Sequence, residues 1–201
     1  MVIAKRELLW RYADGCQYNY RIHNEWEERT LESIRPEKTC CFTGHRPQFF
    51  PWGSNTGDPA AAKMLHALES EILQAIADGY TTFLYGGALG VDAWAAEIVL
   101  RLRKKLSLTL MAVLPFPGYN ADVTESSYRQ TIAASDRILY VEPVRQMSAL
   151  AAWDRYMIDH SSRLIAVYDE HSRIHSGTWR ALCYAREKKL DIRQIRWMGY
   201  I

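Results

Sequence analysis

Residues 84–97 read Leu-Tyr-Gly-Gly-Ala-Leu-Gly-Val-Asp-Ala-Trp-Ala-Ala-Glu, and the rest of the chain is organised around them. Strand-forming residues at 81–85 precede Gly86, Gly87 and Gly90, and the residues that follow suit a helix. A strand that enters a helix through glycines leaves unpaired backbone N–H groups at the positive end of the helix dipole. Such a turn favours an anion, most naturally phosphate. The alternative is that the glycines only let the helix pack closely on the strand.

The composition is that of an ordinary globular protein. The chain has 201 residues, 48% hydrophobic and 24% charged, enough for one domain with a substantial core. Its net charge of +2 argues against nucleic acid as a partner. It has no apolar run long enough to span a membrane, no signal-peptide pattern and no Cys-x-x-Cys pair. We therefore expect a cytoplasmic protein with no membrane contact, no bound metal and no cofactor.

Strand and helix patterns alternate along the chain after residue 38. The six predicted strands lie at 39–43, 81–85, 108–114, 137–141, 164–168 and 192–197. Alternation of this kind predicts an α/β fold with a mainly parallel sheet of about six strands and helices on both faces. Ligands of such sheets bind beyond the carboxyl ends of the strands. The glycine-bearing and polar segments predicted at that edge are 43–46, 86–92, 115–119, Asp169 and 176–178.

These segments supply most of the candidate ligand-binding residues. With one addition from a predicted helix, Asp159, the set is Thr43, Gly44, His45, Arg46, Gly86, Gly87, Ala88, Gly90, Asp92, Phe116, Asp159, Ser176, Gly177 and Thr178. The glycine amides would meet phosphate, Arg46 would add charge, and the hydroxyls of Ser176 and Thr178 would donate from the facing loop. No catalytic residue is assigned.

Three of the candidates have a structural alternative of similar weight. Asp92 would accept a hydrogen bond from a ribose hydroxyl or cap its own helix, and capping is slightly favoured. Phe116 would stack on a base or cover the end of a strand. Asp159 stands one helical turn after Arg155, so an ion pair within the helix explains it equally well.

Four segments in order resemble the YpsA-like branch of the SLOG superfamily. They are 40–47 (Cys-Cys-Phe-Thr-Gly-His-Arg-Pro), 86–97, 155–161 (Arg-Tyr-Met-Ile-Asp-His-Ser), and 164–169 (Leu-Ile-Ala-Val-Tyr-Asp) followed by Gly177-Thr178. The resemblance covers about residues 39–195. It implies a Rossmann-like domain at 37–201 whose glycine-bearing loops bind nucleotides or nucleotide-derived ligands, with residues 1–36 as an N-terminal extension.

Relatives in the wider superfamily suggest two further activities. The LOG enzymes cleave the N-glycosidic bond of nucleoside monophosphates and carry Pro-Gly-Gly-x-Gly-Thr-x-x-Glu at their last loop. Aligned on Gly177-Thr178, this chain has Arg173-Ile174-His175 for Pro-Gly-Gly and Ala181 for the glutamate. The missing carboxylate counts against hydrolysis of the LOG type. The other relative, DprA, binds single-stranded DNA.

The leading interpretation is a domain that binds or senses a nucleotide or nucleotide-derived ligand. The first alternative is an enzyme that hydrolyses a nucleoside or nucleotide N-glycosidic bond through Asp92, Glu97 or Asp159. The second is a DprA-like single-stranded DNA binder, which the near-neutral charge argues against without excluding it. The sequence leaves open whether any reaction is catalysed, and a homo-oligomer is a further open possibility.

Residues 1–36 carry five aromatic side chains, Trp10, Tyr12, Tyr18, Tyr20 and Trp26, which is many for a free tail. Burying even two of them contributes about 3–6 kcal/mol before ordering entropy is subtracted. We therefore predict that the extension packs on its own domain or across a homodimer interface. Deleting residues 1–36 should lower the melting temperature or the oligomeric mass, and an unchanged value of both would contradict the prediction.

Overall fold

All six predicted strands form one parallel sheet in the computed structural model, which describes residues 34–124, 126–141, 147–169 and 176–198. The strand order is β4-β3-β2-β1-β5-β6. The strands are β1 (Thr39–Gly44), β2 (Thr82–Tyr85), β3 (Thr109–Leu114), β4 (Arg137–Tyr140), β5 (Arg163–Val167) and β6 (Asp191–Ile195). The expected α/β, Rossmann-like fold is confirmed.

Five helices cover the two faces of the sheet. They are α1 (Pro59–Ala77), α2 (Val91–Arg103), α3 (Ser126–Ala133), α4 (Met147–Asp159) and α5 (Gly177–Glu187). Helices α1, α2 and α3 pack on one face, and α4 and α5 pack on the other. Short 3₁₀ turns at Pro36–Lys38 and Pro47–Phe49 flank β1. Each of the five helices follows a strand of the parallel sheet, so each begins on the side of the carboxyl edge.

The two faces have separate hydrophobic cores that meet at β1. Cys40 and Cys41 are adjacent and fully buried, and they point to opposite faces, because side chains alternate along a strand. Phe42 joins the core under α1 and α2, and Leu164 of β5 joins the core under α4 and α5. Because β1 is buried on both sides, its hydrophobic run follows from its place at the centre of a parallel sheet.

The strand order reverses between β1 and β5. Strands β2, β3 and β4 extend the sheet on one side of β1, and β5 and β6 extend it on the other. The register pairs Cys41 with Leu164 and Gly44 with Val167, so the two strands end side by side. The loops that leave them diverge, and the crevice between such loops is the usual ligand site of open parallel sheets.

The prediction for residues 1–36 falls mostly outside the described part of the chain, which begins at Ile34. Ile34 is only 8% exposed and packs in the core under α4 and α5. A deletion that ends at residue 33 would therefore separate any contribution of the aromatic segment from the loss of Ile34. None of the described helices has an apolar stretch of the length that a membrane span requires.

The packing of α2 on β1 generates a stability prediction. A methyl group at Gly44 would lie 2.5 Å from Cβ of Val91, the first residue of α2. Gly44→Ala should therefore destabilise the fold by about 1–3 kcal/mol, which lowers the melting temperature by about 2–4 °C per kcal/mol. The control is Gly57→Ala, where the nearest atom is Asn55 Oδ1 at 3.3 Å. Equal melting temperatures for the two variants would show that α2 shifts freely on the sheet.

Candidate functional site at the carboxyl edge of the sheet

The turn between β2 and α2 is closed by a buried carboxylate. Asp92 is 6% exposed, and its Oδ2 accepts hydrogen bonds from the N–H of Gly86 at 2.9 Å and of Ala88 at 3.4 Å. The side chain of Asp92 thus closes the turn that precedes α2, the helix to which Asp92 belongs. One of the glycine amides expected to meet phosphate, that of Gly86, is therefore engaged by this carboxylate. An anion at the turn would meet the N–H groups of Gly87 and Leu89, which have no partner among the described residues.

The glycines of the turn lie against other parts of the protein. A methyl group at Gly86 would lie 2.0 Å from the Trp153 ring, and one at Gly87 would lie 2.3 Å from the Leu114 side chain. Gly90 has a φ of +91° and approaches the backbone carbonyl of His45. These contacts favour close packing as the reason for the three glycines.

Arg46 supplies a cation above the turn. Its Nη2 donates a hydrogen bond to the hydroxyl of Tyr119 at 2.8 Å, and the guanidinium is exposed. Arg46 follows β1 and Tyr119 follows β3, so this side chain reaches across the end of β2. Tyr119 in turn packs on Phe116 and Trp153, with ring centroids 5.6 and 5.5 Å apart. Phe116 therefore supports Tyr119 as well as being a candidate for stacking.

A second carboxylate at this edge, Asp154 of α4, is absent from the sequence-based candidates. With Thr43, at the end of β1, and Ala181 of α5 it lines a narrow cleft that has no room for a water molecule and is otherwise lined by apolar core side chains. Its Oδ2 lies 3.8 Å from where a Cβ would stand on Gly177, the first residue of α5. No described residue forms a hydrogen bond or an ion pair with Asp154. A partly buried carboxylate without a hydrogen-bond or ion-pair partner lowers the stability of the folded state, and such groups are often functional.

The two carboxylates hold protons more tightly than an exposed aspartate. Burial raises the pKa of Asp92 to about 6, and the hydrogen bonds from Ala88 and Gly86 and the charge of Arg46 oppose this rise. Burial also raises the pKa of Asp154 to about 7, with a further rise from the charge of Asp92 and an opposing effect of Arg180. The charge of Asp92 therefore contributes to the raised pKa of Asp154.

Aromatic rings fill the crevice between the ends of β1 and β5. The His45 ring lies 5.5 Å from Phe49 and 5.4 Å from Tyr168, and Tyr168 lies 5.8 Å from Trp179 of α5. His45 is 3% exposed, and its Nε2 is buried without a hydrogen-bond partner among the described residues. Burial lowers the pKa of His45, so its ring is neutral at pH 7. Phe49, by contrast, is 41% exposed.

The loop before α5 offers fewer hydroxyl donors to a ligand than the sequence suggests. The Ser176 hydroxyl accepts a hydrogen bond from the N–H of Trp179 at 3.3 Å and so caps α5. Thr178 is buried at the start of this helix. Asp159 lies at the opposite end of α4 from the turn loops, where it contacts the Tyr184 hydroxyl at 2.9 Å and the Lys188 ammonium at 2.9 Å. The structure does not bring Asp159 together with the other candidates.

A signal for Asp154 was present in the sequence. It is the only acidic residue in the stretch 147–158, and it directly follows an inward-facing tryptophan. The helical pattern alone places Asp154 beside the apolar stripe and gives no reason to prefer it over Asp159. Only the packing of α4 against α5 shows that Asp154 faces the cleft.

A sequence model of the YspA SLOG family matches residues 40–198. A UPF0398 protein of Brevibacillus brevis is 29% identical over 146 residues, which cover 68% of this chain and 74% of that relative. A UPF0398 protein of Halalkalibacterium halodurans is 33% identical over 110 residues, which cover 52% and 58% of the two chains. These matches confirm the resemblance seen in the sequence motifs.

Two solved structures share the fold. DNA processing protein A from Streptococcus pneumoniae superimposes with a TM-score of 0.53 at 16% identity, covering 83% of this chain and 51% of that one. DNA processing protein A from Helicobacter pylori gives a TM-score of 0.55 at 16% identity, covering 84% and 68%. This chain thus spans about half the length of the first protein, and the likeness concerns the fold alone.

The expectation that nucleic acid is an unlikely partner is wrong. It rested on the net charge of +2, yet these two solved structures with the same fold are DNA processing proteins, and the Helicobacter pylori structure is named for its single-stranded DNA binding mode. Net charge averages over the whole chain and does not report local charge. Arg46, for example, stands exposed at the carboxyl edge.

The raised pKa values of Asp92 and Asp154 predict how the stability of the protein depends on pH. The pKa values of Asp92 and Asp154 lie above the 3.8 of an ordinary aspartate, so the folded state binds more protons than the unfolded state between about pH 4 and pH 7. The contribution of the pair to stability therefore falls as pH rises through that window. Asp154→Asn removes one charge and should raise the melting temperature, relative to the unmodified protein, by about 2–8 °C more at pH 8 than at pH 4.

Thermal unfolding of both proteins across this range measures the difference. Asp159→Asn is the control, because Asp159 lies at the far end of the same helix in contact with Lys188. It should show no gain in stability at pH 8. A pH-independent difference between Asp154→Asn and the unmodified protein would show that Asp154 carries no buried charge.

Proposed function

The chain belongs to the YspA SLOG family, and from this premise we propose that it binds a nucleotide or a nucleotide-derived ligand across the carboxyl edge of its sheet. One observation carries the proposal: the carboxyl edge brings together groups that recognise parts of a nucleotide. They are the exposed cation Arg46, the N–H groups of Gly87 and Leu89, which have no partner among the described residues, and the exposed ring of Phe49.

The cationic end lies above β2 and β3. Arg46 is held there by the Tyr119 hydroxyl and has further N–H donors to offer, since a guanidinium carries five. The unpartnered N–H groups of Gly87 and Leu89 lie in the turn below it. A phosphate at this position would form charge-assisted hydrogen bonds, which are stronger than neutral ones.

The aromatic end lies at the crevice between β1 and β5. Phe49 is exposed beside His45, and Tyr168 connects this pair to Trp179. A base stacked here would gain from the faces of the rings, and every base has such a face. His45 itself is only 3% exposed, so the exposed Phe49 ring is the surface that a base would meet.

A second candidate is hydrolysis of a nucleotide N-glycosidic bond. The observation in its favour is the pair of carboxylates with raised pKa, because one protonated and one ionised carboxylate can serve as general acid and base. Water would add to the sugar carbon, and the base would leave with a proton. Ala181 counts against the LOG type of this reaction, although Asp154 lines the same cleft as Ala181.

We place the protein in the cytoplasm as part of the proposal. Three cysteines of the described chain, Cys40, Cys41 and Cys183, are free thiols, which fits a reducing compartment. Single-stranded DNA remains a competing ligand, since each of its nucleotides offers a phosphate and a base to the same two ends of the site.

Isothermal titration of the four ribonucleoside 5′-monophosphates tests the proposal. At least one should bind, and its parent nucleoside should bind more weakly because it lacks the phosphate. Arg46→Gln should weaken the affinity for the monophosphate by about 10- to 100-fold and leave the affinity for the nucleoside unchanged. The matched control is Arg101→Gln, an exposed arginine of α2 that pairs with Glu69 away from the edge.

Two outcomes would overturn the proposal. One is the absence of binding by all four monophosphates to the folded protein. The other is tight, strongly salt-dependent binding of an oligothymidylate with no binding of single nucleotides, which would favour a DNA-binding function. Release of free base from a monophosphate, lost in Asp92→Asn, would instead support the hydrolase.

A further inference from the structure

The peptide between Gly87 and Ala88 is held from both sides. Its carbonyl oxygen accepts hydrogen bonds from the hydroxyl of Tyr128, on α3, and from Nδ2 of Asn120 at 3.0 Å. Its N–H donates to Oδ2 of Asp92 at 3.4 Å. The C=O and N–H of a trans peptide point in opposite directions, so rotation of this peptide would break hydrogen bonds on both sides at once.

The two flanking peptides carry the N–H groups that the proposed function assigns to phosphate. The N–H of Gly87 belongs to the peptide before the held one, and the N–H of Leu89 belongs to the peptide after it. Gly87 has a φ of +65°, in the left-handed region that glycine enters and leaves readily. The turn therefore has backbone freedom of its own, and contacts from outside the turn have to remove it.

These outside contacts form one network that also reaches the cation. Tyr128 is 5% exposed, and Asn120 donates to its hydroxyl at 3.2 Å as well as to the carbonyl of the turn. Asn120 has a φ of +54°, which few residues other than glycine adopt. It directly follows Tyr119, whose hydroxyl accepts the hydrogen bond from Arg46. One short loop thus contacts both the cation and the turn.

We propose that Tyr128 and Asn120 are positioning residues for a bound phosphate. They hold the Gly87 carbonyl, whose partial negative charge would repel an anion, and so fix the turn with the N–H groups of Gly87 and Leu89 as its free donors. The inference rests on the proposed function, since it names the side chains that orient the phosphate end of that site. Neither side chain needs to touch the phosphate, because both act through the backbone of the turn.

A purely structural role is the competing explanation, and Tyr85 provides the control for it. The Tyr85 hydroxyl donates to the carbonyl of Thr131, in α3, at 3.4 Å and shares a hydrogen bond of 2.8 Å with Oγ of Ser135. It therefore bonds to α3 and the residues after it rather than to the turn. Tyr85→Phe and Tyr128→Phe each remove one buried hydroxyl that contacts the surroundings of the same helix. Both should lower the melting temperature, and only Tyr128→Phe should change the binding of phosphate.

The experiment is isothermal titration of the full chain with AMP, GMP, CMP and UMP and with the four parent nucleosides. Tyr128→Phe should weaken the affinity for each monophosphate that binds by about 3- to 10-fold and leave the affinity for its nucleoside unchanged. Asn120→Gly, which tolerates the positive φ and removes the amide donor, should have the same effect. Tyr85→Phe should leave both affinities unchanged.

The ¹³C resonance of the Gly87 carbonyl gives a second measurement that needs no ligand. The shielding of a carbonyl carbon depends on the hydrogen bonds that its oxygen accepts. This resonance should therefore move in Tyr128→Phe and in Asn120→Gly, and it should move less in Tyr85→Phe. An unchanged resonance in both of the first two variants would show that neither side chain holds the carbonyl.

The outcomes separate the two levels of the argument. If no monophosphate binds to the unmodified protein, the proposed function fails and the positioning role fails with it. If monophosphates bind to the unmodified protein, Tyr128→Phe and Asn120→Gly with equal affinity, the positioning role is overturned while the site stands. An equal loss for monophosphate and nucleoside, or an equal loss in Tyr85→Phe, also overturns it, because packing alone would explain the effect. If Tyr128→Phe does not fold, Asn120→Gly decides the matter, since Asn120 is only half-buried.

Discussion

The hydrogen bonds from Gly86 and Ala88 to the buried carboxylate of Asp92 are the interaction on which the carboxyl edge depends. They fix the turn between β2 and α2, and this turn carries the surface on which Trp153 rests. Trp153 donates its indole N–H to the carbonyl of Val113 in β3 and supports Tyr119, which in turn holds Arg46. The position of the exposed Arg46 side chain therefore depends, through Trp153 and Tyr119, on the buried carboxylate of Asp92.

This arrangement gives the edge an unusual charge distribution. In a phosphate-binding turn of the common kind, amides and the helix dipole present positive potential to the ligand. Here a carboxylate takes two of the amides, and a second carboxylate stands nearby on α4. Positive charge is left to the rim, at the exposed side chain of Arg46.

Much of this could be predicted from the sequence, and the remainder depends on packing. Periodicity and turn residues give the α/β class, the parallel sheet and the segments that meet at one edge, because strand direction determines where each loop lies. The engagement of the amides by Asp92 depends on a three-dimensional turn that spacing does not specify. Asp154 and Asp159 look equivalent in sequence, yet five residues of helix separate them by about 7.5 Å along the axis. That distance places only Asp154 at the cleft.

The central position of β1 also has a consequence for synthesis of the chain. β1 pairs with β2 on one side and β5 on the other, and the thiol of Cys41 bonds to the carbonyl of Arg163, 122 residues later. While a ribosome extends the chain, β1 to β4 can assemble early, but one edge of β1 then stays open until β5 emerges. Its residues Cys40, Cys41 and Phe42 are apolar, so a stalled or truncated chain would expose an aggregation-prone strand edge. The fold therefore relies on the nascent chain being completed promptly or shielded by a chaperone.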